Sequence, residues 1–291
     1  MYRFSFIALI FIGCNTSPQH STDFTKENLF TTGVEGPAVN ANGDLFAVNI
    51  EKEGTIGIVN SEGEGKIYLE LPEGSTGNGI RFDKKGNMFI ADYAAHNVLT
   101  VKKGIKTAEV WAHNPAMNQP NDLAISPTNV IYLSDPNWKE STGNLWMVNA
   151  SKEIVLLEEN MGTTNGIEVS PDGKKLYVNE SVQRNVWQYD INKDGSISNK
   201  TKLIVFDDFG LDGMRCDEKG NLYIARYGKG IIAIISPEGK IIEEVILTGK
   251  KPTNITFGGK DGKTCFVTMQ SRGSIETFKA KHAGSYFKQI H

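Results

Sequence analysis

Six times along this chain an oxygen-bearing side chain stands eight residues ahead of a strand-turn signal. The pairs are Glu35 and Gly43, Asn78 and Gly86, Asn121 and Asn129, Asn165 and Gly173, Asp212 and Gly220, and Asn254 and Gly262. Each turn lies in a similar phrase, such as DKKGNMFIAD at 83–92 or DEKGNLYIAR at 217–226, and the turns recur every 42 to 47 residues. That interval matches the length of a four-stranded propeller blade, a unit too small to bury its own apolar face without neighbours. Six such units account for nearly all of the 291 residues beyond the first few dozen.

Within each repeat, short β-branched and aromatic runs alternate with Asp, Asn, Lys and Gly turns, as in Met88, Phe89 and Ile90 or Leu222, Tyr223 and Ile224. Strands have this period, and no helical period stands out beyond the N-terminal apolar run. The expectation is an all-β chain folded as a six-bladed β-propeller, a single domain over residues 23–291. The last repeat has a third strand at 273–280, but its tail from Lys281 to His291 reads poorly as a fourth. Residues 23–32 could supply that strand, closing the ring and removing the open edge of a linear array.

The N-terminus differs in composition. Arg3 precedes an apolar run from Phe4 to Ile12, too short to span a bilayer but suited to an export signal. Gly13-Cys14 follows in the manner of a lipobox, so residues 1–14 read as a lipoprotein-type signal segment ending at Cys14 and 15–22 as a polar tether. The expected location is the bacterial cell envelope, periplasm or outer membrane, with plain secretion as the alternative. The lipid on Cys14 would be the sole membrane contact of a monomer. A net charge of −3 with interspersed signs argues against nucleic acid or an anionic surface as partner and suits a small, neutral or mildly polar ligand.

In a propeller, a position just before the innermost strand faces the central channel in every blade. The six register positions would therefore surround one opening with two carboxylates, Glu35 and Asp212, and four amides, Asn78, Asn121, Asn165 and Asn254. Hard divalent cations take such mixed oxygen ligands, and two carboxylates balance the charge. Turn chemistry is the competing account, because four of the six are followed by glycine. It leaves the register of Asn121 and Asn254 unexplained.

A second series lies fourteen residues further on: Asn49, Asp92, Asp135, Asn179, Arg226 and Thr268. These read mainly as braces for loop backbone. Asp135 is a candidate substrate contact, and Arg226 could hold an anionic or polyhydroxylated substrate or form a surface salt bridge. The five histidines lack zinc-ligand spacing, and no nucleophile elbow or phosphate loop is present. Cys216 and Cys265 read as buried small hydrophobes, and Trp138 as a wall of the pocket.

Val34-Glu35-Gly36-Pro37, Gln119-Pro120-Asn121-Asp122-Leu123, Asn165-Gly166-Ile167 and Leu211-Asp212-Gly213-Met214, in this order, resemble the gluconolactonase, regucalcin and senescence marker protein family. The closing Pro252-Thr253-Asn254 also resembles bacterial gluconolactonases, and the likeness covers roughly residues 30–280. It implies a six-bladed propeller with one divalent cation, calcium foremost and zinc, magnesium or manganese as alternatives. The implied ligands are Glu35, Asn121, Asn165 and Asp212, with Asp212 also carrying the proton. Asn78 and Asn254 are then left for substrate, alongside Asn121. Animal members carry an arginine that contacts the sugar lactone two residues before the position of Asn121, where this chain has Gln119, a departure that leaves the implied metal site intact and the aldonolactone specificity open. The implied activity is metal-dependent opening of a small sugar-acid or related lactone. The alternatives are a phosphotriesterase-like hydrolase on the same ring, or a non-catalytic binding propeller that would not need Asp212.

Overall fold

The computed structural model describes residues 18–290. The signal segment, Cys14 and residues 15–17 lie outside the described residues.

The repeat is realised as six four-stranded antiparallel sheets, each built from strands consecutive in sequence except the last. The inner strands are Ala38–Val39, Gly77–Phe82, Leu123–Ile125, Thr164–Val169, Met214–Cys216 and Pro252–Gly258. Each is followed by the turn that marks the repeat, and the reason for its sequence is conformational. Gly43, Gly86, Asn129, Gly173, Gly220 and Gly262 all adopt φ between 64° and 88°, a region that glycine and, next best, asparagine enter at low cost. The turn-opening side chain completes the device: Asp83 Oδ1 accepts from the backbone N–H of Lys85 and Asn87, and Asp217 Oδ1 from those of Lys219 and Asn221.

The core lies between blades. Each second strand contributes one buried aromatic ring, Phe46, Phe89, Tyr132, Tyr177, Tyr223 or Phe266. Tyr223 meets Phe257 of the next blade edge-on with ring centroids 4.9 Å apart, and Phe46 meets Phe82 at 5.5 Å. This packing fixes the angle between blades and so the width of the channel.

The ring closes as expected but with a smaller piece. Only Thr22–Asp23 pairs with the third strand of blade 6, Ser274–Lys279, whereas residues 24–32 run as loop. The stretch read as a tether enters the fold earlier, at Gln19. Its Nε2 donates to the Lys279 carbonyl at 2.7 Å, and His20 bridges Ile246 of blade 5. The tail differs too, because Ser285–Ile290 forms a short helix. Its residues border a small cavity with Arg81, Glu168 and Arg215 at the channel end opposite the ring positions, and the Tyr286 hydroxyl donates to the Asp83 carbonyl. Six residues were too few for a helical period to show.

Candidate active site in the channel mouth

Five of the six register positions meet in one cavity. Glu35, Asn78, Asn121, Asn165 and Asp212 line a space of about 310 Å³ at the channel mouth, walled by Trp138, Ser181, Tyr227 and Gln270. Trp138 therefore stands where the sequence put it. The glycines after the ring residues serve close approach rather than tight turns, since of the four only Gly36 has positive φ. A Cβ on Gly213 would lie 2.0 Å from Asn254 Cγ, and one on Gly79 2.4 Å from Asp122 Oδ1.

The chemistry of the donors fits a hard cation. Asn121 Oδ1 and Asn165 Oδ1 are buried with no hydrogen-bond partner, a costly arrangement for amide oxygens unless a ligand completes it. Glu35 Oε2 accepts from Gly36 N–H at 2.5 Å and from Asn254 Nδ2 at 3.0 Å. No protein hydrogen bond reaches its Oε1 among the described residues. Burial, reinforced by the nearby Asp122 carboxylate, pushes Glu35 up to about 7. Asp212 is raised well above the ordinary aspartate range, by burial first and then by Glu35. Two carboxylates that resist ionising together are what a divalent ion would relieve. No cluster of three or more His, Cys, Asp or Glu side chains suited to a metal occurs among the described residues. The donor set is thus two carboxylates with two amides, the hard-oxygen combination.

Asn78 lines the cavity with its Nδ2 committed to the Asn121 carbonyl at 2.9 Å, which leaves its oxygen for a ligand. Asn254 is not free. Its Nδ2 donates to Glu35 and Asp122, and its Oδ1 accepts from Arg215 Nη1 and Ile255 N–H. The expected substrate role of Asn254 is replaced by a bracing one.

The second series braces loops throughout, and neither member singled out for substrate reaches the cavity. Asp135 accepts from Asn118 N–H, Gln119 N–H and Trp146 Nε1, all within 2.8 Å. Arg226 is buried, stacked on Phe206 at 3.8 Å and paired with Asp208 at 2.7 Å. Asp135 is thereby spent on the loop entering Asn121. Of the two alternatives for Arg226 the salt bridge is found, between a buried guanidinium and a half-exposed carboxylate.

Sequence reasoning missed the floor of the site. Arg81, Glu168 and Arg215 each lie three residues after a ring position, and Asp122 one after. Arg81 Nη1 donates to Asp122 Oδ1 at 2.9 Å, while Arg215 Nη1 reaches Asp122 Oδ2 at 3.4 Å. Charged residues at a repeated offset inside inner strands were the available signal.

The profile of the SMP-30/Gluconolactonase/LRE-like region matches residues 34–271. The chain belongs to this family. Among curated proteins it is 27% identical to a gluconolactonase of Zymomonas mobilis over 66% of this chain and 60% of that one, so the match spans less than two thirds of that relative. It is 25% identical to the diisopropyl-fluorophosphatase of Loligo vulgaris over 90% and 93% of the two chains, and 27% to the regucalcin of Xenopus laevis over 81% and 85%. Among solved structures, a calcium-binding regucalcin from Agrobacterium tumefaciens superposes with a TM-score of 0.78 at 18% identity, covering 92% of this chain and 98% of the other. A gluconolactonase from Xanthomonas campestris gives 0.74 at 17% identity, covering 88% and 87%. These two likenesses establish the propeller; the family assignment rests on the sequence match.

Proposed function

We propose that this chain is a divalent-metal-dependent hydrolase that opens a small sugar-acid or related lactone, with calcium as the ion. The observation that carries the reading is the pair of buried, unpartnered amide oxygens of Asn121 and Asn165 beside Glu35 and Asp212 in a family of gluconolactonase relatives. These four side chains would hold the ion, which when bound supplies Lewis-acid polarisation of the ester carbonyl and stabilises the charge that develops there. Asp212, partly open to the cavity, takes a proton from the attacking water and returns it to the departing ring oxygen. Asn78 offers its amide oxygen to a substrate hydroxyl, and the Trp138 indole walls the mouth. Among the described residues no lysine, arginine or histidine lines the cavity, so an uncharged lactone suits it better than an anionic one.

The test is acid release from a panel of aldonolactones, homoserine lactones and aromatic lactones, with and without chelator. Opening of at least one lactone, abolished by chelation and lowered about 10²- to 10⁴-fold in Asp212→Asn, supports the reading; a purified protein that holds no divalent ion sinks it. A phosphotriester hydrolase is the second reading, favoured by the nearly full-length match to diisopropyl-fluorophosphatase. An ion-loaded protein that opens no lactone but cleaves a phosphotriester selects it.

For location, the proposal is a monomeric lipoprotein of the bacterial envelope, attached at Cys14. Gln19, the fifth residue after Cys14, is held by its side chain at the Lys279 carbonyl of blade 6 and by its backbone at Ile246 of blade 5. Incorporation of labelled fatty acid that is lost in Cys14→Ala is the expected result; equal labelling of both proteins would refute it.

A further inference from the structure

We propose that Arg215, acting through Asn254, is the positioning residue that presets Glu35 as a ligand offering a single oxygen to the metal. The inference rests on the metal reading above.

An asparagine amide can sit either way round, and the groups about it decide. Arg215 Nη1 lies 3.2 Å from Asn254 Oδ1, and Ile255 N–H lies 2.9 Å from the same oxygen. Both can only donate, so the carbonyl end must face them. The NH₂ end then points at Glu35 Oε2 and Asp122 Oδ2, 3.0 and 3.3 Å away. Turned over, the amide would set oxygen against two carboxylates and N–H against a guanidinium. With Gly36 N–H also on Oε2, that oxygen is saturated, and Oε1 alone remains for the cavity.

Arg215 is itself fixed. Its guanidinium is buried and bonded to the carbonyl of Met214 at 2.9 Å, with longer contacts to those of Pro37 and Ile80 in blades 1 and 2. Asp122 Oδ2 of blade 3 supplies the opposing charge at 3.4 Å. One cation thus ties the frames of five blades around the carboxylate it orients. Neither Arg215 nor Asn254 lines the cavity, so both act on the ion only through Glu35.

Calcium chloride titrated into chelator-stripped protein, followed by calorimetry, tests this. Asn254→Ala keeps every charge and should bind the ion about 10- to 100-fold more weakly, the usual range for residues that orient a ligand. Arg215→Lys keeps the charge but loses the fork and should fall in the same direction. The Arg215→Lys, Asn254→Ala double variant should bind no more weakly than Asn254→Ala alone, because one relay is broken in each. A purely structural role would lower the melting temperature of the stripped protein and leave ion affinity within twofold of wild type, which would overturn the inference. Additive losses in the double variant would also overturn it. Should Arg215→Lys fail to fold, Asn254→Ala alone decides. A wild-type protein without a divalent site removes the metal reading and this inference together, whereas wild-type binding matched by both single variants removes only this one.

Discussion

Glu35 shows how a repeated register becomes chemistry at a single residue. Its position was legible because spacing is conserved by the blade, while its neighbours were not, because they come from blades far apart in sequence. Asp122 and Asn254 lie in blades 3 and 6, yet both bear on a side chain in blade 1. The same is true of Arg215, whose repeated offset inside an inner strand is visible in sequence but whose partners in four other blades are not. A pH dependence follows from Glu35. In the metal-free protein its folded pKa of about 7 exceeds the ordinary value of 4.5, so between those limits the folded state binds more protons than the unfolded one. Stability must then fall as pH rises from about 4.5 to about 7, and is fully retained below. Chelated protein should accordingly melt several degrees lower at pH 7.5 than at pH 5, and saturating calcium should narrow the gap; a chelated melting temperature that rises over this range would refute it. Gly213→Ala makes a second residue-scale test. The new Cβ would fall 2.0 Å from Asn254 Cγ, displacing the amide that holds Glu35. Loss of about 1–3 kcal/mol in stability, with weaker ion binding, is expected from denaturant melts and calorimetry.

At the scale of elements, the turns were the best-read feature and the loops that present the site the least. Turns show in sequence because φ above zero selects glycine or asparagine directly, as at Gly86 and Asn129. The entry loops carry no such local mark. The loop from 114 to 121 is held by Asp135, which caps the N–H groups of Asn118 and Gln119 and receives the Trp146 indole N–H. The sequence offered Asp135 as a substrate contact or a brace, and only the course of the loop decides between them. Asp135→Ala would leave two backbone donors and a buried indole N–H without partners. It is expected to cost about 2–4 kcal/mol and to weaken ion binding through the displaced Asn121. Urea unfolding followed by tryptophan fluorescence reads the first effect. Unchanged stability would mean that water replaces the carboxylate without loss.

The whole ring depends on a closure in which little of the N-terminal segment is regular strand. Two residues, Thr22 and Asp23, complete blade 6, far fewer than the ten-residue strand the sequence suggested. Beyond that strand, Phe24 and Thr25 N–H donate to the Ile275 carbonyl and Phe30 N–H to that of Gly273, and side chains add the rest, an irregular pattern that strand propensity could not reveal. Arg272, with a side chain only 14% exposed, donates to Asp23 and Glu276 at 2.6 Å and to Glu27 at 2.7 Å. Glu276 is fully buried and also accepts from the Ser21 hydroxyl and from the N–H groups of Thr248 and Gly249. One carboxylate therefore joins the N-terminal segment, the end of blade 5 and the third strand of blade 6. Removing Arg272 strands that buried charge, so Arg272→Ala should cost about 3–5 kcal/mol, although Asp23→Asn, at a site half open to water, should cost no more than about 1 kcal/mol. Deleting residues 18–23 takes away Ser21 and the closing strand together and exposes the edge of Ser274–Lys279, whose free N–H and C=O groups would pair with another chain. The expected result is loss of the single cooperative urea transition and concentration-dependent association in sedimentation. A deletion variant that stays monomeric and unfolds in one step at the wild-type midpoint would show that the ring holds without its clasp.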